Sequence, residues 1–153
     1  MSKKAKFFIS FGGLLFLFLI SELIDNSFLK FNRSKSLPHT LFFSKKPKTI
    51  SRGMYVSLVH PEMPSILIGK LIAGVPGDSI EIKGKSIFVN NQYLGEIKTR
   101  SKSGKNYRPI QDTVISEGHI FLFAPCEDSF DSRYQEFGLA EISWVKEELW
   151  PIF

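Results

Sequence analysis

The sequence predicts a mainly β fold, one antiparallel β domain behind a single apolar segment at the N-terminus. After that segment, no long stretch shows apolar residues at a helical period. Short runs rich in β-branched and aromatic residues alternate instead with Gly, Pro and Asn turn signals. The length of 153 residues leaves room for one membrane segment and one compact domain of roughly a hundred residues.

The N-terminal segment is predicted to be an uncleaved membrane anchor. A lysine-rich start precedes an apolar run over 7–20, which extends to residue 24 if one serine and one glutamate are tolerated. The longer version is just sufficient to cross a bilayer, and bulky residues stand where a cleaved secretory signal would carry small ones. We therefore predict an anchor over 1–25 and a second domain over 26–153. The lysines beside the apolar run favour a cytoplasmic N-terminus, with the domain outside the cytoplasm.

Four stretches of the second domain are predicted to form strands. The longest contains three short strands, joined by a Lys-Gly-Lys turn and an Asn90-Asn91 turn. By contrast, residues 98–113 are polar and basic and contain Gly104 and Pro109, so they are predicted to form an exposed loop or small insertion. The four stretches are MYVSLV (54–59), SILIGKLIAGV (65–75), DSIEIKGKSIFVNNQYLGEI (78–97) and HIFLFAP (119–125).

The charge pattern favours a lipid partner over nucleic acid. The formal net charge is +5, and residues 30–52 carry seven basic side chains and no acidic one. Such a run beside an anchor suits anionic headgroups, at ~1 kcal/mol for each well-placed cation. Nucleic acid is not expected, because the basic residues lack an interleaved aromatic platform. The single cysteine, Cys126, excludes an internal disulfide, and we expect neither a cofactor nor a metal.

Lys70 is unusual because it lies in an apolar strand, where lysines are seldom buried. A fully buried lysine can lose ~3–5 pKa units, and its neutral amine is then a general base able to activate a serine. Ser36, two residues before Pro38, is a candidate nucleophile. Taken alone, each residue also has a non-catalytic interpretation. Lys70 would be a half-exposed strand lysine whose aliphatic stem covers apolar surface, and Ser36 would be an ordinary serine in a turn.

A third motif moves the interpretation towards catalysis. The chain contains SKSLP at 34–38, GKLIAGVPGD at 69–78 and SFDSRY at 129–134, in that order. Together they resemble the ordered signature of type I signal peptidases, and the resemblance extends over about residues 5–140. Within that family, NRSKSLP is most similar to the conjugative-transfer (TraF-type) branch. The resemblance implies a signal-peptidase-like antiparallel β-sheet catalytic domain behind one transmembrane helix.

The resemblance also implies roles for three residues at the reaction centre. Ser36 would be the nucleophile and Lys70 the general base of a Ser/Lys dyad. The hydroxyl of Ser34 and the backbone N–H of Ser36 would form the oxyanion hole. Losing one such donor in a serine protease costs about 2.7–4 kcal/mol.

Three further residues would support that centre. Ser129 would orient the lysine amine. Asp131 and Arg133 would form an ion pair that braces the loop in which all three residues lie. The chain departs from the TraF-type pattern with Thr40 in place of Gly and Phe42 in place of Tyr, and these departures leave the choice of substrate open.

The predicted function is that of a membrane-anchored serine endopeptidase that cleaves signal peptides or matures pilin precursors. Its substrate would be a membrane-bound preprotein or pilin precursor. The enzyme itself would be a single-pass protein of the bacterial inner membrane, with its catalytic domain on the outer, periplasmic side. The residues leave open whether water or an amine takes up the acyl group. A self-cleaving repressor would need a helix-turn-helix region where the apolar segment lies. A non-catalytic, membrane-anchored basic β module binding anionic lipid or another protein is the remaining alternative.

Overall fold

The computed structural model of the protein describes residues 13, 28–34, 36–101 and 104–152. Of the predicted anchor, residues 1–25, all but Gly13 lie outside the described residues. Within the part that is described, no helix is long and apolar enough to cross a bilayer.

Strands dominate the described residues, and a short 3₁₀ helix at Ile142–Trp144 precedes the last strand. The strands are, in chain order, β1 (Leu29–Phe31), β2 (Leu41–Lys45), β3 (Tyr55–Val59), β4 (Leu67–Gly74), β5 (Ser79–Lys83), β6 (Ser86–Val89), β7 (Gln92–Glu96), β8 (Thr113–Val114), β9 (His119–Phe123), β10 (Ala140–Glu141) and β11 (Val145–Pro151).

These strands form two antiparallel sheets. The larger sheet has the order β1-β2-β11-β3-β4-β9-β10, and the smaller has the order β7-β6-β5-β8. Every pairing between neighbouring strands is antiparallel. The prediction of a mainly antiparallel β fold is therefore confirmed.

All four predicted strand stretches contain strands. The longest holds β5, β6 and β7, and its second turn places Asn90 and Asn91 at φ 48° and 61°. Asparagine tolerates this left-handed region well, which suits the two-residue turn of a hairpin. The strands β2 and β11 were not predicted, although β11 pairs with both β2 and β3 in the larger sheet.

The core lies on both faces of the larger sheet. Along β9, Phe121 and Phe123 face a cluster shared with the smaller sheet, whereas Ile120 and Leu122 face a second cluster with Val56. Successive side chains of a strand point to opposite faces, so a strand buried on both faces needs an unbroken apolar run. This requirement explains the sequence HIFLF.

The segment 98–113 is described at 98–101 and 104–113. Most of its side chains are exposed, but Tyr107 and Ile110 pack against the first core cluster. Isolated bridges join Arg100 to Asn106 and Pro109 to Tyr134. The segment therefore folds back against the domain.

We expect Gly74→Ala to destabilise the protein, because β4 has no room for a side chain at its end. A Cβ atom at Gly74 would lie 2.6 Å from Ile115 Cδ1 and 3.1 Å from Phe121 Cβ. Overpacking of this kind costs about 1–3 kcal/mol of the free energy of unfolding, which urea denaturation measures. Gly95→Ala is the control, since its Cβ would make ordinary contact with Phe123 at 3.4 Å. Equal stability of the two variants would contradict the packing described here.

Candidate active site

A cavity of about 340 Å³ opens where β1, the following serine-rich loop and β4 meet. Ser34, Ser36 and Lys70 all line it. Its walls also include apolar side chains, among them Leu37 and Leu149. Three of the residues that the sequence singled out for chemistry are thus brought to one cavity, although 34 positions separate Ser36 from Lys70.

Asn32 organises the serine-rich loop. Its Oδ1 atom accepts hydrogen bonds from the Ser34 N–H at 3.0 Å and the Ser34 hydroxyl at 2.8 Å. Its Nδ2 group donates to the carbonyl oxygens of Leu37 at 3.2 Å and His39 at 3.0 Å. The short Asn side chain therefore satisfies backbone groups on both sides of Ser36, as such side chains often do in turns. No role was predicted for Asn32, and its place at the head of the NRSKSLP motif was the available signal.

The two predicted oxyanion donors are engaged within this loop. The Ser36 N–H donates to Ser34 Oγ at 3.3 Å, and the Ser34 hydroxyl donates in turn to Asn32. Ser34 is exposed and Ser36 is half-buried, so both are accessible from the cavity. An incoming oxyanion would have to replace these contacts.

Lys70 is buried on β4, a central strand between β3 and β9, and is 4% exposed. Its ammonium nitrogen donates a hydrogen bond to Ser129 Oγ. Burial lowers the pKa of Lys70 from 10.5 to about 8, because desolvation penalises the charged form; Asp131 opposes this effect and Arg133 adds to it. Near pH 8 about half of the molecules therefore carry a neutral amine at this position.

Lys70 and Ser36 line the same cavity, and no hydrogen bond is described between their side chains. Among the described hydrogen bonds, the one from the Lys70 amine runs to Ser129, and none joins it to Ser36. Catalytic hydrogen bonds are often long in unliganded proteins and tighten when substrate binds. The geometry thus places a candidate base and a candidate nucleophile in one cavity, with the base held by a third residue.

Asp131 and Arg133 form a buried, two-pronged ion pair behind Ser129. The Nε–Oδ1 distance is 2.8 Å and the Nη2–Oδ2 distance is 2.9 Å, with the two residues 0% and 2% exposed. Asp131 Oδ2 also accepts the Ala124 N–H, and the guanidinium donates to the carbonyl oxygens of Glu96 and Cys126, each of these three bonds at 3.0 Å. Charge-assisted, two-pronged pairs are strong and directional, so this pair fixes the backbone of the loop.

Ser129 lies inside the loop that this pair fixes. It is 6% exposed, and its N–H donates to the Cys126 carbonyl at 3.1 Å. The residue that contacts the Lys70 amine is therefore itself held by backbone and ionic contacts. Such support is what keeps a reacting group in a defined position.

A polar cluster around Glu147 lies beside the cavity and was not predicted. The Glu147 carboxylate accepts hydrogen bonds from Ser44 at 3.2 Å and Ser57 at 2.9 Å, and it pairs with Lys30 at 3.2 Å. Lys30 and Ser57 also line the cavity. The sequence gives no local signal for this cluster, because β11 brings Glu147 there through pairing with distant strands. Among the described residues, no group of His, Cys, Asp and Glu side chains is arranged to hold a metal ion.

A comparison with protein-family profiles agrees with the motifs. The sequence profile of the family described as "Signal peptidase, peptidase S26" matches residues 6–147. Among solved structures, a signal peptidase I from Enterococcus faecalis V583 is similar, at 24% sequence identity and a TM-score of 0.43. That match covers 64% of this chain and 94% of the other. No curated protein sequence matches the chain.

We expect Lys70→Met to be more stable than the parent at pH 7, by about 2–3 kcal/mol. The folded protein holds Lys70 with a pKa of about 8, whereas the unfolded chain has the ordinary value of 10.5. Below pH 8 the folded protein therefore bears the full cost of the buried charge, and stability rises with pH between 8 and 10.5. Methionine at this position removes that dependence.

Urea unfolding of both proteins at pH 7 and pH 10 measures this difference. The advantage of Lys70→Met should shrink markedly at the higher pH. Lys85→Met, at an exposed lysine, is the control and should change stability equally at the two pH values. An advantage of the same size at both pH values would show that Lys70 is not desolvated.

We expect Asp131→Asn to destabilise the protein by about 3–5 kcal/mol, because it leaves the buried Arg133 guanidinium without its anion. The matched control is Arg108→Gln at the Arg108–Glu136 pair, where Arg108 is 73% exposed and the pair contributes about 0–1 kcal/mol. Denaturant unfolding at pH 7 compares them. A loss below about 1 kcal/mol for Asp131→Asn would mean that the pair does not brace the loop.

Proposed function

The chain belongs to the S26 family of signal peptidases, and on this premise we propose that it is a membrane-anchored serine endopeptidase with Ser36 as nucleophile and Lys70 as general base. The family implies serine peptidase activity on preprotein substrates. The observation that carries the proposal is that a serine hydroxyl and a lysine of lowered pKa line the same cavity. Ser–Lys pairs are a recognised variant of the hydrolytic triad.

The proposed reaction begins with neutral Lys70. Its amine takes the proton of the Ser36 hydroxyl as Oγ attacks the carbonyl carbon of the scissile peptide bond. The tetrahedral intermediate then collapses, the C–N bond breaks, and the leaving amine takes the proton back from the Lys70 ammonium. An ester between Ser36 and the acyl part of the substrate remains. Water activated by Lys70 hydrolyses it, or an amine of the substrate intercepts it and gives a cyclic product.

The oxyanion of the intermediate needs donors. The Ser36 N–H and the Ser34 hydroxyl are the groups at hand, once they release Ser34 Oγ and Asn32 Oδ1 respectively. Donors that are preorganised in a site shielded from water stabilise a developing charge far better than water does. Asn32 then has a further use, since its remaining contacts keep the loop in place while the hydroxyl turns.

The cavity supports a small, apolar side chain next to the scissile bond. Leu37, Gly69 and Leu149 are among the apolar residues that line it. Such a lining suits an apolar side chain of the substrate, and the family resemblance implies that this side chain is small. An extended substrate segment would pair with an exposed strand edge, with its backbone hydrogen bonds supplying affinity and this space supplying selectivity.

An apolar surface supports the proposed apposition to a bilayer. Phe28, Phe31 and Trp150 are 69%, 59% and 50% exposed, and Phe28 stacks on Phe43 with ring centroids 5.8 Å apart. Phe31 also lines the cavity. With an anchor at 1–25 in the inner membrane, this surface would face the bilayer from the periplasmic side. Enzyme and substrate held in one bilayer meet at a raised effective concentration.

Pilin maturation in conjugative transfer is the narrower form of the proposal. It rests on the NRSKSLP motif, since the cavity itself is compatible with any precursor that carries a small residue at the cleavage point. Cleavage assays with both kinds of precursor therefore distinguish signal-peptide removal from pilin maturation.

We expect the parent protein in liposomes to cleave an inserted precursor, and Ser36→Ala and Lys70→Ala to lose at least ~10²–10⁴-fold in kcat/KM. Two precursors should be offered, a signal-peptide preprotein and a pilin precursor. Ser143→Ala and Lys85→Ala are the matched controls, because both residues are exposed and neither lines the cavity; they should cleave like the parent.

The pH dependence of the same cleavage is a separate outcome. Activity should rise with pH through a midpoint near 8, because the reaction needs the deprotonated Lys70 amine. Equal cleavage by the parent, Ser36→Ala and Lys70→Ala would refute the dyad. Other residues would then have to carry the cleavage, whereas cleavage of neither precursor by the parent would favour the non-catalytic basic β module.

A further inference from the structure

The segment 98–113 lies along the loop that carries Ser129, a placement that the proposed reaction does not use. The Ile110 N–H donates to the Arg133 carbonyl at 2.9 Å, and the Gln135 N–H donates to the Arg108 carbonyl at 2.9 Å. These bonds flank the isolated bridge between Pro109 and Tyr134. The segment therefore adds a short antiparallel partner to the C-terminal half of the loop.

Ion pairs attach the segment to both ends of the same loop. Lys98 Nζ lies 2.8 Å from Glu127 Oε2 and 3.2 Å from Asp128 Oδ1, just before Ser129. Arg108 Nε lies 3.1 Å from Glu136 Oε1, beyond Arg133. Exposed pairs of this kind contribute little each. Their positions nevertheless hold the segment across the whole loop.

Aromatic stacking joins the segment to the middle of the loop. The Tyr107 ring lies over Phe130, with centroids 5.1 Å apart and planes at 23°, and its centroid is 4.9 Å from that of Tyr134. Phe130 follows Ser129 directly in the chain and packs against both core clusters, with an edge contact to Phe137 at 5.3 Å. Tyr107 thus confines the residue next to Ser129.

We propose that the described part of this segment, 98–101 and 104–113, is a clamp, and that Tyr107 is a positioning residue that holds the Ser129 hydroxyl against the Lys70 amine. The proposal rests on the Ser36/Lys70 dyad proposed above. Tyr107 does not line the cavity, so it acts through Phe130 and Ser129 rather than on the substrate.

The loop that carries Ser129 has two supports. The Asp131–Arg133 pair fixes it from inside, and the Tyr107 ring closes it from outside. Without the ring, Phe130 loses a stacking partner, and Ser129 gains freedom to move away from Lys70. A shift of about 1 Å in a group that aligns a reactant can reduce the rate ~10²-fold.

A looser loop also admits water to Lys70. The charged and titratable groups that face the amine are Asp131, Arg133 and Cys126, and all three remain when Tyr107 is replaced. Desolvation is the largest cause of the lowered pKa of Lys70. Hydration of the amine therefore moves that pKa back towards 10.5.

The test compares Tyr107→Ala with Tyr107→Phe, which keeps the ring. Tyr93→Ala is the matched control, because Tyr93 is 59% exposed, contacts Phe88 in the smaller sheet and does not line the cavity. In precursor cleavage, Tyr107→Ala should lose at least ~10-fold in kcat with little change in KM. The midpoint of its pH profile should rise above 8 by about one unit. The other two variants should match the parent.

A second readout does not depend on activity. The pH titration of Lys70, followed by NMR of labelled lysine side chains in the Ser36→Ala background, should show the same upward shift in Tyr107→Ala. If cleavage by Ser36→Ala equals that by the parent, the dyad has failed. The titration then still decides whether the clamp sets the environment of Lys70.

Two results would overturn the proposal. One is parent-like kcat and pH dependence in Tyr107→Ala. The other is a lower kcat with an unchanged pH midpoint and an unchanged Lys70 titration, which indicates a role in folding alone. If Tyr107→Ala does not fold, Tyr107→Leu is the second variant, since it keeps an apolar side chain but removes the ring that stacks on Phe130. A raised midpoint in that variant supports the clamp, and an unchanged midpoint rejects it.

Discussion

Burial of the Lys70 amine is the constraint on which the candidate site depends, because an ammonium group cannot accept the proton of a nucleophile. The position on β4 meets this constraint, since the strand lies at the centre of the larger sheet and is covered on both faces. The cost is stability, since a buried lysine opposes folding wherever the unfolded chain would be protonated. Local destabilisation of this kind is typical of functional sites.

The Asp131–Arg133 pair fixes the loop around Ser129 while its two charges act in opposite directions on the pKa of Lys70, the candidate base. A lone carboxylate near Lys70 would stabilise the ammonium form and raise its pKa, as Asp131 does in part. Arg133 engages that carboxylate through two bonds and itself lowers the pKa of Lys70. The loop thus gains strong charge-assisted bonds, while the charge of Arg133 opposes that of Asp131 at the amine.

Much of the fold was predictable because its information is local. The continuous apolar runs of β4 and β9 and the Asn90-Asn91 turn are short-range signals, and the three motifs identified the family. The strand β11 was missed because its sequence, VKEELWP, has no clear alternation, and it joins β2 and β3 only through distant pairing. The Glu147 cluster and the contact of Tyr107 with Phe130 were missed for the same reason, as both arise from residues far apart in sequence.

The central claim is that Ser36, activated by Lys70, becomes acylated during cleavage. The most direct measurement is acid-quenched mass spectrometry of the protein mixed with a precursor above pH 8, followed by digestion to locate any added mass. The account predicts a transient acyl group on the peptide containing Ser36, which accumulates in the parent and is absent from Lys70→Ala. Two results would contradict it. One is cleavage at the same rate with the acyl group on another residue. The other is cleavage that no longer requires Ser36 and gives no acylated protein.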